Sequence, residues 1–450
     1  MSNIILWAHQ ATVDHTYRVG DDIALIARKL NESGFLVKRS RNPNKADKVL
    51  TNELKTVQMN GLPNDRMVDV TALSTKDIPG KLQKVREQLK KYEDSHEVHI
   101  GGNPAIAAIR GYLVRQGPED TDLPLVFYAG LYPDSVKEVL EKYRPDLVEA
   151  FRVPYRIKAH PQSIGLETAR AKLVLIYGPG RALSDLAPEG NFTRYFNLLE
   201  SVMAGTTPKS RTVFAINAPT LRKVSVGGKE MTELDLAKQL VKELKKSEFG
   251  DRVRIFVATR GFRTKEAPLE EYARATLSLL EEADIISASD TEIDALHTAY
   301  RGEHHDDPLA YKLRELPFEA IKVCHSADGV IMDLGCRPER IITSKRFQAD
   351  PAGFLEEILR LSADGATYAL DATAGLGRTA NEAMIRIYSR NVAPENRQTD
   401  RFRTTFLRIT EPMPAGMVSI ASARVVRTLG AVVGLGAIFD GLLLSFLMRD

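Results

Sequence analysis

The 450-residue chain predicts an α/β fold in which a mostly parallel central sheet is flanked by helices, and three observations carry that expectation. Short β-branched runs alternate with amphipathic helical stretches along most of its length. Several of those runs are almost continuously apolar, the pattern of strands buried on both faces of a parallel sheet. The chain also exceeds the roughly 250 to 300 residues at which single cores stop growing, so a large domain with a smaller companion is expected.

The expected strands, in order, are "NIILWAH" from residue 3, "EVHIGG" from 97, "LPLVFYAG" from 123, "KLVLIYG" from 172, "TVFAINA" from 212, "RVRIFVAT" from 252, "DIISAS" from 284 and "IKVCHS" from 321. Between them, residues 80–95, 133–143, 233–248 and 268–283 carry helical periodicity. Two stretches break the rhythm: the polar residues 31–66, and residues 150–200, where "EAFRVPYRIKA" predicts an antiparallel strand. They are the natural material for a lid. The expected division is a large domain from residues 1–17, 96–149 and 201–450, and a smaller α/β lid from 18–95 and 150–200.

Composition narrows the function. Lys and Arg number 62 against 59 Asp and Glu, for a net charge of +3. That balance lacks the clustered basic excess of a nucleic-acid partner. The only cysteines, Cys324 and Cys336, exclude a disulfide framework and favour a reducing, cytoplasmic setting. "MSNIILWAHQ" has neither the basic start nor the cleavage site of a signal peptide. Residues 429–448 are apolar enough to suggest a membrane span, for which about 20 residues suffice. Asp440 in mid-run, at a cost of a few kcal/mol in lipid, predicts a buried terminal helix and no membrane partner instead.

Ligands of open α/β sheets bind beyond the carboxyl ends of the strands, so the strand-ending loops are where chemistry is sought. Asp14, just after the first strand, is placed to accept hydrogen bonds from substrate hydroxyls or to be a solvated turn residue. "IGGNPAIAAIRGYL" ends a strand on Gly101 and Gly102 and starts a helix at Asn103 and Pro104; bare glycines admit a ligand close to the backbone, and they also make common turns. "SDTE" puts Ser289, Asp290 and Glu292 before a helix, where carboxylates can orient a hydrated Mg²⁺ or cap the helix. Finally "VVGLGAIFDG" brings Gly434, Gly436 and Ala437 to a helix N-terminus, whose free N–H groups and dipole attract anions.

In this order, and over most of the chain, these four elements resemble those of the ADP-dependent glucokinases and phosphofructokinases, which have a ribokinase-like fold. "VDH" is similar to that family's early substrate aspartate, "IGGNPAIAAIRGYL" to its sugar-binding Gly-Gly element with Asn103, "SDTE" to its N-x-x-E magnesium motif and "VVGLGAIFDG" to its terminal G-x-G-D loop. The resemblance implies transfer of the ADP β-phosphoryl group to a sugar hydroxyl, giving AMP, with Mg²⁺ as cofactor held at Glu292. In such chemistry the protein mainly positions reactants and stabilises charge.

The pattern also departs from the family. Ala437 occupies the place of the base aspartate, Ser289 that of the magnesium-motif asparagine, "RIF" at 254–256 that of a His-x-Glu element, and Pro154 that of a sugar-contacting histidine. Asp440, one helical turn on and about 4.5 Å further along the axis, is the candidate displaced base. Arg152, Arg156 and Lys158 cluster on the lid and suit a sugar phosphate, or form a solvated strand face. Two expectations of function follow: an active ADP-dependent sugar or sugar-phosphate kinase, or a pseudokinase that binds nucleotide or sugar without turning it over.

Two other motifs are weaker. "YALDATAGLGRTANEA", with Asp371, Gly375 and Gly377, resembles the first loop of an S-adenosylmethionine methyltransferase, but too little chain follows it to complete that fold. "GEHHDD" at 302–307 is rich in metal donors, yet its adjacent histidines point apart on regular structure, so no structural metal is expected there.

Overall fold

The computed structural model describes residues 3–8, 11–19, 64–69, 86–87, 89–115, 123–128, 132–151, 156–157, 162–167, 171–177, 192–204, 210–217, 219, 221, 223–259, 269–325, 329–335, 338–351, 353–355, 357–362, 417–421 and 435–449. Its principal strands are β1 (Ile4–Trp7), β2 (Thr12–Arg18), β3 (Asn64–Asp69), β4 (His96–Gly101), β5 (Leu125–Tyr128), β6 (Gln162–Glu167), β7 (Ala171–Tyr177), β8 (Thr212–Asn217), β9 (Val253–Ala258), β10 (Ile285–Ser289), β11 (Ile321–His325), β12 (Gly329–Asp333) and β13 (Met417–Ala421). The helices are α1 (Asn103–Arg115), α2 (Asp134–Tyr143), α3 (Thr193–Met203), α4 (Glu233–Lys246), α5 (Leu269–Leu280), α6 (Asp290–Arg301), α7 (Leu309–Glu315), α8 (Lys345–Ala349) and α9 (Leu435–Leu447).

Among the described residues the large sheet has eight strands in the order β13-β12-β11-β10-β9-β8-β1-β5. From β5 to β11 all neighbours are parallel; β12 and β13 add antiparallel at the edge. The α/β class expected from the alternation of apolar runs and helical periods is therefore the one observed. Its cause is visible in β1, β8 and β10, whose residues are buried on both faces almost throughout. One face packs against α1 and α9 through Ile5, Ala108, Val213, Leu443 and Leu447; the other packs against α4, α5 and α6 through Leu6, Phe214, Leu240, Tyr272 and Leu296. The antiparallel edge follows from spacing. Only residues 326–328 separate β11 from β12, enough for a hairpin and too few for a crossover.

A second sheet of five strands has the order β3-β7-β6-β2-β4. It takes in "KLVLIYG", from the stretch expected to supply the lid, and "EVHIGG", from the stretch expected to belong to the large domain. The chain leaves β1, crosses residues 8–11 and enters β2 of the second sheet, then returns along β4 straight into α1 of the large layer. The chain thus passes between the two sheets just before Asp14 and again just after Gly101.

Two local expectations are corrected. Residues 145–151 form a 3-10 helix, and Arg156–Ile157 pair parallel with Tyr132–Pro133, so "EAFRVPYRIKA" is not an antiparallel strand. Proline at 154 removes a ladder donor from the middle of that run. Within 80–95, residues 86, 87 and 89 are helical as expected, while residues 90–95 close as a 3-10 turn leading into β4. The terminal apolar run folds as α9, buried over Ala437–Met448, and among the described residues no helix is long and apolar enough to cross a membrane.

Candidate functional site

Asp14 lies on β2 directly across from His99 of β4, two residues from the Thr12–Gly101 pair. Residues i and i+2 of a strand share a face, so Thr12 and Asp14 project together. Thr12 Oγ1 donates to Asp14 Oδ1 at 2.9 Å, which fixes the carboxylate. The same pair explains Gly101: a Cβ there would lie 1.8 Å from Asp14 Oδ2 and 2.5 Å from Thr12 Oγ1. Gly102 takes φ 90°, a region that side chains avoid, and its carbonyl accepts the first helical bond from Ile106 N at 2.9 Å. Asn103 then opens α1. The Gly-Gly pair therefore does two different jobs, making room for a carboxylate and turning the chain into a helix.

Helix α9 packs on α1 at backbone contact distance. A Cβ on Gly441 would lie 2.3 Å from the Ala107 carbonyl oxygen, and one on Gly111 would lie 2.8 Å from Ser445 Oγ. Both pairs advance along the two helices together, so the helices run parallel. One turn back, the same register brings Ala437 level with Asn103. Direction relative to the sheet is fixed at the far end, where Asn3 Nδ2, at the start of β1, donates to the Met448 carbonyl at 2.8 Å. The C-terminus of α9 lies at the amino edge of the sheet, and its first turn therefore lies at the carboxyl edge. Phe439 against His325 at the end of β11, with ring centroids 5.3 Å apart, agrees with this. Two helix N-termini, each with unsatisfied N–H groups and a positive dipole end, thus stand side by side near Asp14.

Asp440 points elsewhere. It is 1% exposed and accepts a hydrogen bond of 2.6 Å from Ser287 Oγ on β10. This bond ties α9 to the sheet. Ala437 is 2% exposed, Gly436 is half-buried, and Gly434 lies outside the described residues.

At the end of β10, Ser289 caps α6 in a reciprocal box with Glu292: Ser289 N donates to Glu292 Oε2 at 2.8 Å while its side chain accepts from Glu292 N. Thr259 Oγ1, just past β9, lies 3.1 Å from the same Oε2. Glu292 is half-buried and Asp290 exposed. The cap reading of "SDTE" is observed, and it leaves two carboxylates at the carboxyl edge, oxygen donors of the hard type that Mg²⁺ takes. Thr12, Thr259 and Ser287 escaped the sequence reading. Thr12 was detectable as the same-face neighbour of Asp14; Thr259 and Ser287 act across strands and leave no local pattern.

The remaining candidates fall outside this cluster. Arg156 is described only in its backbone, and Arg152, Lys158, Cys336, Asp371, Gly375 and Gly377 lie outside the described residues. Cys324 is buried, and burial pushes its thiol up, away from the thiolate that ligates or attacks. In "GEHHDD", His305 Nε2 lies 3.3 Å from Glu303 and His304 Nδ1 lies 3.8 Å from Asp294. His297, Asp307 and Glu315 bring one donor atom each within 4.8 Å of one another at the opposite end of α6. There Glu315 is already shared by His297 at 2.8 Å and Arg301 at 3.5 Å, which makes an ion-pair network of the group.

No family profile and no curated protein matches the chain. Solved structures do. It is similar to a hypothetical ADP-dependent phosphofructokinase from Pyrococcus horikoshii OT3 at 14% identity and TM-score 0.55, over 99% of this chain and 98% of that one. It is also similar to the adenosine kinases of Trypanosoma brucei brucei, at 12% identity and TM-score 0.45 over 86% and 98%, and of Schistosoma mansoni, at 10% and 0.44 over 86% and 95%. At such identities the likeness is one of fold, and the first, which spans both chains, bears out the ribokinase-like arrangement of a large α/β layer with a second sheet.

Proposed function

We propose that this chain is a phosphotransferase that moves the β-phosphoryl group of ADP to a hydroxyl of a sugar or sugar phosphate, releasing AMP. The observation that carries the reading is the in-register, parallel packing of α1 and α9, which aims two helix N-termini at one point beside Asp14, Gly101 and Gly102. The likeness to the phosphofructokinase supports the fold on which the reading stands. Asp14, held by Thr12, accepts hydrogen bonds from the sugar hydroxyls; Asn103 and the bare Gly102 let the sugar approach the start of α1. The N–H groups at Gly436 and Ala437 stabilise the oxygens of the transferring phosphoryl group. Glu292, with Asp290, would hold Mg²⁺, which neutralises phosphate charge when bound.

In the transfer the sugar oxygen bonds to the β-phosphorus as the bond to the bridging oxygen breaks, and AMP leaves with that oxygen. The hydroxyl proton has no side-chain acceptor at Ala437, and Asp440 is engaged by Ser287 in the core. The proton therefore passes to a phosphoryl oxygen or to water, and turnover is slow. That same observation favours a second reading, a pseudokinase that binds ADP, AMP or sugar phosphate without transfer. Arg156 and Lys158 on the lid belong with a phosphorylated sugar in either case.

The test is AMP release from ADP and Mg²⁺ in the presence of hexoses and hexose phosphates, alongside calorimetric titration with ADP, AMP and ATP. Transfer predicts sugar-dependent AMP and tighter binding of ADP than of ATP. Binding of ADP or AMP with no AMP formed selects the second reading. Tighter ATP binding refutes the ADP-dependent transfer, and binding of neither nucleotide nor sugar phosphate refutes both.

A further inference from the structure

A guanidinium group unused by this chemistry is sealed inside the large layer. Arg110 lies on α1 two turns beyond Asn103, about 10 Å along the axis from the helix start. It is 3% exposed, and its Nε and Nη1 are closed off from solvent with no hydrogen-bond partner among the described residues. An arginine carries five donors and keeps its charge in proteins, so a buried one without an acceptor is costly by several kcal/mol. Its neighbour offers no relief. Arg144, at the junction of α2 and the 3-10 helix of residues 145–151, holds Asp146 in a two-pronged bond of 2.9 and 2.7 Å, and adds a second positive charge. Burial, reinforced by Arg144, pulls the Arg110 pKa down to about 10, which leaves it protonated at neutral pH.

We infer that Arg110 is the floor of a binding site for a small oxyanion at the junction of α1, α2 and the 3-10 helix, separate from the nucleotide and sugar site. A guanidinium so enclosed is out of reach of a nucleotide or sugar phosphate, and a small oxyanion such as inorganic phosphate, sulfate or formate is the partner its charge calls for. The planar fork of the guanidinium matches two oxygens of such an ion. Because α1 carries Asn103 at one end and packs against α9 along its length, an ion bound at Arg110 stiffens the helix on which the proposed sugar site is built.

The experiment measures thermal unfolding of the full chain and of Arg110→Met in chloride buffer, with phosphate, sulfate or formate added at matched ionic strength. The wild type should gain several degrees with an oxyanion. Arg110→Met should unfold at or above the wild-type temperature without oxyanion, because an uncompensated charge is gone, and should respond to the ions less than the wild type, keeping only what anions at the α1 and α9 N-termini contribute. A response to phosphate and sulfate but not formate assigns a tetrahedral anion; a response to all three assigns carboxylates as well. An oxyanion response as large in Arg110→Met as in the wild type overturns the proposal, as does a wild type indifferent to all three. A fall in the unfolding temperature of Arg110→Met in chloride overturns it too, since the charge is then balanced within the chain. These outcomes stand whether or not the protein releases AMP.

Discussion

Gly441→Ala should destabilise the protein by more than a surface substitution would, at or beyond the upper end of the ~1 to 3 kcal/mol usual for overpacking. The new methyl would lie 2.3 Å from the carbonyl oxygen of Ala107, a backbone atom that no rotamer change can move away. Relief requires α9 to draw back from α1, opening contacts along both helices and separating the two N-termini. Urea unfolding of the variant should show an earlier midpoint and, after refolding, weaker nucleotide binding. Gly228→Ala is the control: it sits at φ 77° with nothing within 4 Å of the added carbon, so it reports backbone strain without helix separation. Equal losses in the two variants would show that the close approach of α1 and α9 is not what stabilises this layer.

Ala437→Asp should raise AMP formation by about 10² to 10⁴, the usual contribution of a positioned general base, or roughly 3 to 5 kcal/mol of barrier. The position is the third of α9, where a carboxylate also gains from the helix dipole. It stands level with Asn103, so the new group faces the proposed sugar hydroxyl. Asp440→Asn should leave transfer unchanged and cost stability, because the Ser287 hydroxyl would bond a neutral amide in the core in place of a carboxylate. A large loss of activity in Asp440→Asn would mean that the buried carboxylate reaches the substrate after all.

The fold was legible because its signals are local and repeated. Apolar runs such as "TVFAINA" and "DIISAS" have the pattern of strands in a covered sheet, and the helical periods at 133–143, 233–248 and 268–283 match α2, α4 and α5 to within a few residues. Sheet membership was not legible. "EVHIGG" and "TVFAINA" look alike as short strands, yet the first pairs with β2 in the second sheet, a choice made by partners more than 80 residues away in sequence. At the site, the pairing of Asp14 with Gly101 could be anticipated only through the resemblance, since no pattern links residues 14 and 101. The partner of Asp440 was not legible for a related reason. A carboxylate in an apolar helix reads as functional, and its partner Ser287 lies 153 positions away on another element.

The central claim is that the N-termini of α1 and α9 form one anion site. Amide hydrogen exchange followed in peptides covering residues 100–106 and 435–441, with and without ADP and Mg²⁺, tests it most directly. Both segments should slow together on ADP addition, with peptides from α4 and α5 on the opposite face unchanged. Protection of one segment alone, of neither, or of the α4 and α5 face instead would contradict it.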